Sequence, residues 1–183
     1  MNYWRTLTAE KEFFLGTHLT HWYDLEQVCD ANGVSMSEPQ RLFFENTAQL
    51  LMWECWQMFL RELLAYYQIK PKTLTPVESL SLNRVNEILG FEAKEVSMLQ
   101  AEMFSPDHWF SRLLAQQNKW RTPATGRSDL ENGWKSDEAA SGSVQMIATS
   151  RVEKRQDGRI FWSNLKNEMA GFIKDCRETM AEF

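Results

Sequence analysis

Three histidines and a few acids are the residues with chemistry to offer. His18 and His21 stand three apart, and Asp24 follows one turn later. On a helix that spacing lines all three along one stripe, where imidazoles and a carboxylate could share a metal ion. His108, next to Asp107, is a further candidate ligand. Helical di-metal bundles, however, rest on paired Glu-x-x-His motifs. The residues three before His18, His21 and His108 are Leu15, His18 and Ser105. The motif is therefore missing, and no tightly bound metal is expected. His18 also falls on an apolar stripe between Phe14 and Trp22.

Glu54 is the candidate general acid or base. It lies between Trp53 and Trp56 in the most apolar turns of the chain, and a buried carboxylate has a raised pKa. The plainer reading is a carboxylate at the rim of its helix, paired with a neighbour. A third chemistry is anion binding. Residues 112–159 hold nine Lys or Arg against six Asp or Glu. Arg151, Lys154, Arg155 and Arg159 are the dense part, with Trp134 and Trp162 near, and basic residues among aromatics bind phosphates and stack bases. A charge run this short is more commonly a solvated helix end. No Gly-rich phosphate loop, Gly-x-Ser-x-Gly, Cys-x-x-Cys or His-Glu-x-x-His occurs, so no cofactor is called for.

The elements that must position these residues are helices. From Ser37 to Lys70 there is one proline, Pro39, and no glycine. Apolar residues recur at Phe44, Ala48, Leu51, Met52, Cys55, Met58, Phe59, Leu63 and Tyr66, which is helical spacing. Asn46, Gln49, Gln57 and Arg61 form a narrow polar strip. A helix apolar nearly all round is a buried one, so residues 38–69 are expected to be a long central helix. Ser37 and Gln40 form its capping box, and Pro71 ends it.

A first helix over 7–32 is capped by Thr8 and stopped by Asn32-Gly33. Its apolar face includes Phe14, Leu15, Leu19, Trp22 and Val28. Thr75-Pro76-Val77-Glu78 opens a third helix that Gly90 closes. A fourth runs over 92–104. Ser105-Pro106-Asp107 launches a fifth, reaching Trp120. Residues 121–143 carry no apolar period and are expected to be a polar loop. The stretch 144–152 fits either a short helix or a strand. Asp157-Gly158 is a turn signal, and a last helix covers 159–183. The whole is one all-α domain of 183 residues, an irregular bundle of five or six helices around the central one.

Composition sets the compartment. A net charge of -5 argues against general nucleic-acid affinity. No N-terminal stretch reads as a signal peptide, and charges interrupt every apolar run before it could span a membrane. Cys29, Cys55 and Cys176 are odd in number and far apart, as reduced thiols in a cytoplasmic protein are.

Three stretches carry a resemblance: RLFFENTAQLLMWECWQMFLRELLAYY, SPDHWFSRLLAQQNKW, and VQMIATSRV with the C-terminal helix ending RETMAEF. Together they resemble a family of small, uncharacterised, mostly helical bacterial proteins. The resemblance implies the helical fold and brings no function or site residue with it.

The function these features point to is a non-catalytic interaction or regulatory protein. The alternatives are a helical-bundle enzyme using His18, His21, Asp24 or Glu54, and nucleic-acid or anionic-partner binding through 151–159. Eight Trp and eleven Phe are many rings for one small domain to hide. A two-fold dimer is therefore expected, with 144–152 as its contact.

Overall fold

The computed structural model describes residues 3–69, 79–91, 93–102, 105–121 and 157–181. These form six helices: α1 Tyr3–Ala31, α2 Glu38–Tyr66, α3 Leu82–Leu89, α4 Lys94–Glu102, α5 Trp109–Arg121 and α6 Asp157–Ala181. Among the described residues there is no strand. The fold is all-α. The expected loop at 121–143 and the ambiguous stretch 144–152 lie outside the described residues, Arg121 excepted, which ends α5.

α1 and α2 form the frame. They run antiparallel, because Lys11 reaches Glu54 while Trp22 stacks on Phe44. The link between them follows from its sequence. Gly33 takes the left-handed conformation (φ 65°), the Gly33 amide donates to the Asp30 carbonyl, and the Val34 amide donates to that of Cys29. This pair of hydrogen bonds closes the last turn of α1, as Asn32-Gly33 implied. Ser37 then caps α2. Its hydroxyl accepts from the Gln40 amide, and the Gln40 side chain accepts from the Ser37 amide.

α6, α5 and α3 pack on α2, and α6 also packs on α1. The core runs through all of them. It contains Leu15, Leu19 and Trp22 of α1, Met52, Phe59 and Leu63 of α2, Val96 and Leu99 of α4, Leu113 of α5, and Leu165, Met169 and Ile173 of α6. The last six lie at the helical spacing expected of their helices.

Several boundaries depart from expectation. α1 begins at Tyr3, so Thr8 is no cap. It is fully buried inside the helix, its hydroxyl donating to the Trp4 carbonyl one turn back, a common use of an interior threonine. α2 stops at Tyr66, short of Pro71. Gln68 turns left-handed (φ 60°), its amide donates to Ala65 and that of Ile69 to Leu64, the same closure that ends α1. α3 begins at Leu82, capped by Ser81. The expected start at Thr75–Glu78 lies outside the described residues, but Leu80 is not helical. The buried Gln57 amide holds it: Gln57 donates to the Leu80 carbonyl at 2.9 Å and accepts from its N–H at 2.7 Å. Those two backbone groups have no need of a helix. His108, not Ser105, caps α5, its Nδ1 accepting from the Phe110 amide. Asp157 and Gly158 are the first turn of α6, not a preceding bend. A Cβ on Gly158 would stand 3.0 Å from the Glu45 carboxylate and 3.5 Å from the Trp22 ring. The glycine serves close approach.

Candidate docking surface

α2 changes character half-way along. Of residues 38–51 only Ala48 is buried, whereas ten of residues 52–64 are. α3 and α5 explain the difference. Gln57 of α2 meets the lead-in to α3, and Trp56 meets Trp109 and Phe110 of α5. Among the described residues, the N-terminal half of α2 has α1 and the start of α6 on one side and an open face on the other.

That open face is apolar. Phe43 is 61% exposed, Leu50 57%, and Leu42 and Phe14 43% each. Phe43, Thr47, Leu50 and Glu54 follow one helical stripe of α2. On α1 the matching stripe is Lys11, Phe14 and His18. The two stripes meet at both ends, where the His18 and Phe43 rings lie 6.3 Å apart and Lys11 and Glu54 pair at 2.6 Å. Phe14 and Leu50 therefore share one edge of the α1/α2 pair. Beyond Leu50 the face dips into a groove of about 350 Å³ lined by Asn46, Thr47, Gln49, Trp53 and Gln117. From Asn46 to Trp53 there is no charged residue. The charges at the ends are internally paired: Lys11 with Glu54, and Arg41 with Glu38 and Glu45. The bond to Glu38 is the main reason the Arg41 guanidinium is held above its ordinary pKa. A polar strip was expected along this helix at Asn46, Gln49, Gln57 and Arg61. Gln57 and Arg61 are buried instead, and large apolar side chains are exposed.

The residues with chemistry lie elsewhere and apart. His18 Nε2 is 2.9 Å from the Phe44 carbonyl oxygen, and its ring packs on Phe44. His21 and Asp24 are exposed along the outer side of α1, beside a shallow open depression that Lys166 borders. Among the described residues no three His, Cys, Asp or Glu side chains come together to hold a metal ion. Glu54 is no buried acid, since its side chain is 37% exposed and tied to Lys11. Arg159 bonds Glu26 at 2.6 Å and lies over the Tyr23 ring at 4.8 Å. Its former companions Arg151, Lys154 and Arg155 lie outside the described residues.

The buried ionisable residues are others. Glu62, 3% exposed, accepts both arms of the Arg177 fork at 2.8 Å each. This bond is the main cause of the raised Arg177 pKa. Glu95, equally buried, accepts from the Tyr67 hydroxyl at 2.9 Å. Burial pushes the Cys55 and Cys176 thiols up to about 12, and burial followed by the Glu95 bond does the same to Tyr67. A signal for Glu62 was present in the sequence: it continues the stripe of Cys55 and Phe59.

No protein-family model, no curated protein and no solved structure matches the chain. Among the described residues no helix is long and apolar enough to cross a membrane.

Proposed function

We propose that this is a non-catalytic interaction protein of the cytoplasm, working through the open face of α1 and α2. The observation that carries the reading is the uncharged apolar surface of Phe14, Leu42, Phe43 and Leu50. Continuous exposed apolar surface on a soluble chain marks a place where another molecule sits. The side chains that could do chemistry have other partners: His18 with a backbone carbonyl, Glu54 with Lys11, Glu62 with Arg177. The three cysteines are free thiols, in keeping with a reducing compartment. The resemblance to small helical bacterial proteins belongs to the same proposal and adds no activity to it.

A photo-crosslinking residue in place of Thr47, at the middle of the face, tests this in the native cell. The expected product is a discrete protein adduct that disappears when Phe43→Glu and Leu50→Glu are added. Absence of any protein adduct at position 47 overturns the reading.

A further inference from the structure

Resting on that reading, we infer that the face is covered by a second copy of this chain, hairpin against hairpin, in a two-fold dimer. Three observations converge on this occupant.

The first is extent. α1 and α2 are 29 residues each, rods of roughly 43 Å. At their exposures, Phe14, Leu42, Phe43 and Leu50 leave on the order of 400 Å² of side-chain surface. A standard interface takes about 800 Å² from each partner, rather more than half of it apolar. With the partly buried rim of Asn46, Thr47 and Gln49 the face reaches about 500 Å² per copy, or about 1,000 Å² for a pair, the small end of specific interfaces and the size of a reversible dimer.

The second is charge. The chain is net negative, so two copies repel wherever unpaired charge is brought together. Residues 46–53 carry none, and the ion pairs at either end are already closed within one chain. This surface meets its own copy without that penalty. A strongly charged partner finds nothing on it to recognise.

The third is architecture. Among the described residues, α3 and α5 cover the C-terminal half of α2, whereas the N-terminal half has α1 and the start of α6 behind it and only Gln117 of α5 at the edge of its open face. An antiparallel helix pair with one open apolar face is half of a four-helix layer. A two-fold axis supplies the other half from the same surface. The dimer contact expected from the sequence, 144–152, lies outside the described residues, and this pairing does not depend on it.

Sedimentation velocity of the purified full chain, over a hundredfold range from sub-micromolar concentrations, tests the inference. The expected result is a concentration-dependent shift from 21.5 kDa to twice that mass. The milder change Leu50→Gln should weaken dimerisation about tenfold or more, and Phe43→Glu with Leu50→Glu should abolish it. Both positions are exposed, and an unchanged thermal midpoint at sub-micromolar concentration verifies that each variant is folded. A wild-type chain at 21.5 kDa throughout overturns the inference. So does a dimer that both variants leave intact, because the contact then lies elsewhere. A monomer that still gives an adduct to another protein at position 47 in the cell overturns self-pairing alone and leaves the interaction reading in place.

Discussion

At the scale of single residues, the informative positions are polar and buried. Glu62 is the sharpest case. Its position on the stripe of Cys55 and Phe59 places it inside, and the bidentate bond to Arg177 is what makes that position tolerable. A buried ion pair adds little net stability, yet breaking it is costly because one charge is left without a partner. Arg177→Ala should therefore destabilise by about 3–5 kcal/mol. Replacing both residues by Met should return stability to within about 1 kcal/mol of the wild type, because no charge is then stranded. Urea denaturation of the single and double variants measures this. A single variant with a wild-type midpoint would show that Glu62 is not buried as described. Gln57 belongs to the same class. Its amide looks like a surface residue on helical spacing alone, and only the arrival of Leu80 explains its burial. The partners of both residues lie more than twenty positions away in the chain, and local spacing carries no information about them.

At the scale of elements, periodicity and the turn between α1 and α2 were legible, whereas the starts of α1 and α5 and the coverage of α2 were not. The Ser37–Gln40 box, the Asn32-Gly33 stop and the apolar stripe of α6 are local, and all three were readable from residues within a few positions of one another. How much of α2 is covered depends on where α3 and α5 stop, which is a tertiary matter. Hence Leu51 and Phe59, equivalent in the apolar pattern, differ in the structure: Phe59 is 1% exposed, while Leu51 is only partly buried beside the core. Phe59→Ala should cost about 3–5 kcal/mol, as large aromatic truncations in packed cores do. Leu51→Ala should cost less, about 1–2 kcal/mol, because less contact is lost. Equal losses in a denaturation experiment would mean that the two halves of α2 are covered alike. The end of α2 offers a test of opposite sign. Gln68 holds a left-handed conformation that costs a residue with a Cβ about 1 kcal/mol, and glycine has no such penalty. Gln68→Gly is thus expected to raise stability by up to about 1 kcal/mol, less whatever entropy the freer unfolded chain regains. A clear loss in thermal midpoint would refute the account of this helix stop.

At the scale of the whole molecule, the helices converge on a shared core that holds two buried thiols, and a half-buried phenol at its edge, in their neutral forms. Cys55 sits on α2 with Glu12 and Glu62 as its nearest acidic influences, countered by Arg177 and Lys166. Cys176 of α6 is influenced by Glu95 and Asp175. Tyr67, just past α2, donates to Glu95 next to α4's start. Burial is the leading cause of the raised value in all three. The consequence has a definite sign. The thiols titrate near 9.0 when unfolded and near 12 when folded, and Tyr67 near 10.0 and 12. Below pH 9 both states are protonated and the neutral core contributes fully. Between 9 and 12 the unfolded chain releases protons that the folded chain retains, so stability falls as pH rises through that window. Urea midpoints should therefore be level from pH 7 to about 8.5 and decline steadily above 9. Surface lysines also lose charge near the top of this range, so the attribution needs a control. In Cys55→Ala with Cys176→Ala the remaining group is Tyr67, and the decline should begin about one pH unit later, near 10. Both alanines open small cavities and lower the midpoint at neutral pH, so the onset of the decline, rather than its absolute level, is what discriminates. An onset at the same pH in wild type and double variant would place the alkaline sensitivity outside the thiols, and a wild-type midpoint that stays level to pH 11 would show that burial does not raise these groups in the folded state.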